Sequence, residues 1–152
     1  MSLVEGKNCL ITGATSGIGR STALALSEMG ANIFFIARSQ QKAEELIEEV
    51  ERVSGKSPNA IIADLSSFKQ IERAAEEYKS LNKPIDVLLN NAGIMNTERR
   101  VTEDGLEEVF AVNHLAYFLL TNLLIKKILE SGLKRVVNVS SDAHRFLKSM
   151  NF

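Results

Sequence analysis

The chain has 152 residues, 45% of them hydrophobic, with 18 basic and 19 acidic side chains. That length suits one domain burying roughly 68–70% of its unfolded surface, and ordinary apolar content with nearly cancelling charge excludes a disordered chain. A net charge of −1 supplies no basic field for nucleic acid, and a single cysteine, Cys9, excludes an internal disulfide and suits the cytoplasm.

Residues 1–7 lack the apolar core of a signal peptide, and no uninterrupted apolar stretch approaches the ~20 residues that span a bilayer, so no membrane anchor is expected. The first strand is expected at Asn8–Thr12 and runs into a glycine-rich turn, after which a helical pattern begins. Gly30 stops that helix and a second apolar run, Asn32–Ala37, follows. Ala43, Leu46, Ile47, Val50 and Val53 then recur at helical spacing, with Gly55 as the stop. Residues 60–63 form a third apolar run. Phe68, Ile71, Ala74, Ala75, Tyr78 and Leu81 mark another helix, and Ser67 with Gln70 offers a capping box. A fourth run occupies 86–89 and a fifth 135–139.

The runs are continuously apolar rather than alternating, as strands covered on both faces require. Strands alternating with helices imply right-handed crossovers and an α/β doubly wound parallel sheet. Residues 106–131, closed by Gly132, form a helix of another kind. Val109, Phe110, Val112, Leu115, Phe118, Leu119, Leu123, Ile125 and Ile128 make it apolar on more than one side. Either a central helix packed within the domain or a homo-oligomer interface accounts for that pattern.

The chemistry concentrates at strand ends. In Thr12-Gly13-Ala14-Thr15-Ser16-Gly17-Ile18-Gly19, glycines permit a sharp turn and close approach of a pyrophosphate, with the helix N-terminus presenting N–H groups to it. The strand-before, helix-after setting favours a dinucleotide over a mere tight turn. A nucleoside-triphosphate loop is excluded, because Ala14 stands at the first glycine and Arg20 at the lysine of that motif. At the end of the second strand, where an acidic residue would hold a ribose diol, the chain has Ala37-Arg38-Ser39. Arg38 can clamp a 2′-phosphate with Ser39 adding a hydroxyl, which selects NADP(H) over NAD(H). An exposed arginine opening a helix would look the same in sequence.

Together these motifs resemble the short-chain dehydrogenase/reductase family. Thr12-Gly13-x-x-x-Gly17-x-Gly19 matches its cofactor turn, Asp64-Leu65 its adenine-side pair and Asn90-Asn91-Ala92-Gly93 its signature after the fourth strand. Val112-Asn113-His114 carries the tetrad asparagine, and Val139-Ser140-Ser141 ends where the catalytic serine belongs. Ala37-Arg38 and the run Ser140-Ser141-Asp142-Ala143-His144 look most like the retinol dehydrogenase-like branch, whose members act on apolar alcohols and ketones and are often membrane-associated.

The resemblance implies a five-stranded Rossmann-like domain over residues 1–152, incomplete at its C-terminal side. It implies cofactor contacts from Gly13, Thr15, Ser16, Gly17, Ile18, Gly19, Arg38, Ser39, Asp64, Leu65, Asn91, Ala92 and Gly93, and catalytic roles for Ser141 and Asn113. The implied substrate is a small apolar alcohol or carbonyl compound. A metal role for His114 and His144 lacks a ligand cluster of recognisable spacing, and a serine hydrolase lacks its glycine-flanked nucleophile turn.

The family's tyrosine, and the lysine four residues beyond it, have no counterpart here. Tyr78 and Tyr117 are the tyrosines, and Asn82 and Thr121 stand four residues after them. The expectation is therefore a truncated reductase, catalytic only when completed; a non-catalytic nucleotide-binding or dimerising module is the alternative. The strand at 136–139 is expected to leave an unpaired, partly uncovered edge.

Overall fold

The structure, a computed structural model, describes residues 2–146, the side chains of His144 and Phe146 excepted. Strands β1 (Asn8–Thr12), β2 (Asn32–Ala37), β3 (Asn59–Ile62), β4 (Val87–Asn90) and β5 (Arg135–Asn138) pair in parallel in the order β3-β2-β1-β4-β5. Helices α1 (Gly17–Glu28), α2 (Gln40–Ser54) and α3 (Phe68–Ser80) separate the first four strands, and α4 (Glu108–Leu129) leads to β5. The α/β doubly wound, Rossmann-like sheet is as expected, and its strand order reverses between β1 and β4. Ligands of open α/β sheets bind where the order reverses, beyond the carboxyl ends of the strands.

Alternate residues of each strand serve opposite cores. Leu10, Phe34, Ile36 and Leu88 pack with Ile71, Ala75, Tyr78, Leu120 and Leu124 of α3 and α4. Cys9, Ile11, Ile33, Phe35 and Leu89 pack with Ala23 of α1 and Ala43, Leu46 and Val50 of α2. Two covered faces are why the strand sequences are continuously apolar.

Several boundaries differ from expectation, each for a local reason. Strand β4 starts at Val87, because Asp86 turns its carboxylate to the Asn8 N–H at 2.9 Å and ties the strand's approach to β1. The capping box at α3 is half formed. Ser67 Oγ accepts from the Gln70 N–H, but Gln70 Oε1 accepts from the Asp64 N–H at 3.0 Å rather than from Ser67. Gly30 and Gly55 hold positive φ at helix ends, whereas the turn after α4 places its positive φ at Lys134 instead of Gly132.

Helix α4 is not uniform: residues Ala111–Leu115 adopt π-helical register between α-helical stretches. By length and composition alone its 22 residues would suffice to cross a bilayer, although Asn113, His114, Thr121 and Asn122 interrupt the apolar run, as the sequence indicated. In this fold Ala116, Leu120, Leu124 and Ile128 are instead buried against α3 and the sheet. The opposite face is open, with Phe118 66% and Leu129 60% exposed. Thus α4 is a core helix carrying an uncovered apolar face. Strand β5 stands at the sheet edge with Val136 and Val137 exposed, as its sequence suggested.

Candidate active site

The site is assembled at the β1–β4 junction. Thr12 Oγ1 accepts from the N–H groups of Asn91 and Ala92 at 2.9 and 3.0 Å, while Asn91 Nδ2 donates to the carbonyls of Thr12 and Gly13 at 3.0 and 3.2 Å. These bonds buckle the glycine turn onto the Asn91-Ala92-Gly93 turn. Gly13 has φ +66°, and a Cβ there would stand 2.7 Å from Ala92 Cα. A Cβ on Gly19 would collide with Gly13 O and Asn91 Nδ2. Both glycines are required by close approach of backbone, and Gly17, at φ +52° with open space around it, by conformation alone.

Behind this buckle Asn90 is fully buried. Its Nδ2 donates to Thr121 Oγ1 at 3.1 Å and Asn138 Oδ1 at 2.8 Å, joining β4 to α4 and β5. Tyr117 Oη donates to Ala92 O at 2.8 Å, and burial raises that phenol's pKa above its ordinary value.

In front of the turn lies an open cleft of about 440 Å³. Its walls include Gly13, Thr15, Ser16, Gly17 and Ile18; Arg38 and Ser39; Asp64 and Leu65; and Asn91, Ala92 and Gly93. The structure thus gathers most of the sequence-designated residues around one cavity. Gly19 is buried behind the turn rather than on the wall. Asn113 and Ser141 also lie off the wall: Asn113 bonds to Ile94, which lines the cleft, and Ser141 follows cleft-lining Val139 by two residues.

Asn113 sits on a helix that is otherwise largely apolar. It is exposed, and its amide makes a reciprocal pair with the Ile94 backbone: Nδ2 to O at 2.9 Å and N–H to Oδ1 at 2.8 Å. It lies within the π-helical turn, so sequence periodicity could not locate it. Ser141 is exposed, and its Oγ accepts from the Ala143 N–H at 3.2 Å. Among the described residues no group of three or more His, Cys, Asp or Glu is placed to hold a metal.

The electrostatics favour an anion near α1. Side chains cap the other helices: Ser39 accepts from Lys42 N–H, Ser67 from Gln70 N–H, and Glu107 from the N–H groups of Val109 and Phe110. Ser16 makes no such bond at the start of α1, whose first turn contains no acid. The N–H groups and positive dipole end there lie at the cleft wall without a side-chain cap, Asp64 and Glu108 being acids placed elsewhere on that wall. Arg20 is turned away to Glu49 on α2, with Nη2 2.5 Å from Oε2, which agrees with its exclusion as a phosphate-reaching lysine surrogate. Across the cleft Arg38 is joined by Lys42, a cation that sequence reading did not single out. Its signal was its place in the first turn of the helix that opens directly after Arg38 and Ser39. Glu108, held by Asn96 Nδ2 at 2.6 Å, adds a carboxylate to the opposite wall.

A parallel sheet with a glycine turn that admits no Cβ, a helix N-terminus without a side-chain cap and basic side chains beyond β2 surround one cleft where the strand order reverses. Residues 7–150 match the family model described as short chain dehydrogenase, and the chain belongs to that family. It is 41% identical over 142 residues to human (Homo sapiens) retinol dehydrogenase 13, covering 93% of this chain and 43% of the relative. It is also 41% identical over 146 residues to the chloroplastic short-chain dehydrogenase TIC 32 B of Brassica napus, covering 90% and 45%. A solved short chain dehydrogenase from Salmonella enterica superposes with a TM-score of 0.82 at 26% identity, covering 95% of this chain and 61% of that one. A Shigella flexneri relative solved in complex with NADP superposes with a TM-score of 0.73 at 25% identity, covering 86% and 56%. The chain spans less than half the length of these curated relatives.

Proposed function

We propose that the chain is the NADP(H)-binding part of a cytoplasmic oxidoreductase that moves a hydride between nicotinamide and a small apolar alcohol or carbonyl compound. The observation that carries this reading is the N-terminus of α1. It is left uncapped behind two glycines that admit no Cβ, with Arg38 and Lys42 on the same cleft. The pyrophosphate would take the α1 N–H groups, the adenosine the side of Asp64 and Leu65, and the 2′-phosphate Arg38, Ser39 and Lys42. When bound, the cofactor supplies the hydride-transferring ring. The Ser141 hydroxyl would hydrogen-bond the reacting oxygen. Because its amide is occupied by Ile94, Asn113 would serve a proton relay through its main chain, whose register is widened there.

No Tyr-x-x-x-Lys occurs in the 152 residues. Loss of a positioned proton donor alone lowers turnover by roughly 10²–10⁴-fold, so this chain by itself is expected to bind cofactor with little turnover. The test of the cofactor assignment is Arg38→Ala. Removing a charge-assisted hydrogen-bond donor should weaken NADPH binding on the order of 10–100-fold and leave NADH within about threefold. Equal losses for both would overturn the assignment.

A second reading, a dimerising module, is favoured by the open face of α4. Sedimentation decides it: Phe118→Glu should dissociate a dimer held by that face, and a monomeric wild-type chain excludes one.

A further inference from the structure

Between β4 and α4 the chain forms a small hairpin closed by a bridge between Val101 and Glu107. Thr102 N–H donates to Leu106 O at 2.8 Å and Gly105 N–H to Thr102 O at 3.0 Å, with Gly105 at φ +77° completing the turn. The tip carries Glu103 and Asp104. Both are engaged 36 residues away in sequence, at the start of α3: Ser67 Oγ donates to the Glu103 carboxylate, and Phe68 N–H donates to Asp104 Oδ2 at 2.9 Å. The hairpin base is continuous with the cleft, because Glu108 N–H donates to Arg100 O at 3.0 Å and Glu108 itself lines the cavity.

The N-terminus of α3 is likewise continuous with the opposite wall. Ser67 N–H donates to Asp64 O at 3.2 Å, Asp64 N–H to Gln70 Oε1 at 3.0 Å, and Ser66 N–H to Asp64 Oδ1 at 2.9 Å. Asp64, Leu65 and Ser66 all line the cleft. The walls share one apolar cluster through Leu65, Ala92 and Val112, and outside the cavity the hairpin joins them by polar contacts.

We propose that this hairpin latches the wall at the β3 end of the cleft, Glu103 and Asp104 acting as positioning residues for the adenosine half of the cofactor. Neither residue lines the cavity. Their effect runs through Ser67 and Phe68 to the Asp64–Ser66 turn. This rests on the cofactor reading for its ligand but not for the latch itself.

The test compares Asp104→Ala, Asp104→Asn and wild type in two measurements. In amide hydrogen exchange, Asp104→Ala should lose protection jointly over residues 64–70 and the hairpin, with β1 and β2 unchanged. In binding, adenosine 2′,5′-bisphosphate should weaken on the order of tenfold, the loss expected of one cap bond, while nicotinamide mononucleotide is unaffected. Asp104→Asn keeps an acceptor for the Phe68 N–H and should recover most of both. Exchange that changes only at Phe68, or equal weakening of the two fragments, would overturn the latch. A wild-type chain that binds neither fragment would sink the cofactor reading, and the exchange result would still decide whether the latch exists.

Discussion

Replacing Gly19 by alanine probes the buckle directly. The added Cβ meets Gly13 O and Asn91 Nδ2, and lies 2.9 Å from Gly13 C. Two of those atoms are backbone and cannot rotate away, so α1 must move back or Asn91 must release Thr12 and Gly13. Overpacking of this kind costs about 1–3 kcal/mol, and loss of the two Asn91 bonds adds about 1 kcal/mol each. With partial relaxation the sum falls near 2–4 kcal/mol. For a chain of this length that lowers the melting temperature by roughly 5–15 °C, at about 2–4 °C per kcal/mol. Gly17→Ala is the control, since open space surrounds it and only its φ of +52° opposes a side chain, at about 1–2 kcal/mol. Thermal melts of both variants, read by circular dichroism, separate steric from conformational cost. A Gly19→Ala melt within 2 °C of wild type (about 1 kcal/mol or less), or one milder than Gly17→Ala, would refute the close-approach reasoning.

Other expectations follow from single contacts. Tyr117→Phe removes the bond to Ala92 O and should cost about 1 kcal/mol, seen as a small drop in melting temperature; no change would show that bond to be inert. Burial, with the Asp86 charge, pushes the Cys9 thiol up to about 11. The unfolded thiol ionises near 8.5, so above that pH the native state holds a proton the unfolded chain has lost, and stability falls as pH rises toward 11. Melts of wild type and Cys9→Ala should diverge over that window, and parallel curves would contradict it. Val137→Lys on the exposed edge strand should reduce self-association measured by light scattering, because an edge lysine opposes strand addition.

What the sequence disclosed has a common physical character. Strands buried on both faces announce themselves as unbroken apolar runs, and turns that admit no Cβ announce themselves as glycine, so β1, β2 and the Gly13–Gly19 cradle were legible. The Asp64–Leu65 and Asn91–Gly93 turns became legible through their resemblance to a family and proved to line the same cleft. Contacts between distant segments left no periodic trace. The Asn113–Ile94 pair and its π-helical turn, the Gln70 bond to Asp64, and the engagement of Ser67 by Glu103 all join positions whose spacing carries no rule. Apolar composition alone also hid which face of α4 was covered, since Leu120 and Phe118 read alike until α3 is in place.

The most direct test of the cradle is to follow main-chain amides by proton–nitrogen correlation spectra while NADPH is added. Binding at the N-terminus of α1 should shift Gly17, Ile18 and Gly19 first and furthest, with Arg38 and Ser39 following for NADPH and not for NADH. Saturation with those amides unmoved, or no shifts at all, would contradict a phosphate seat at this glycine turn.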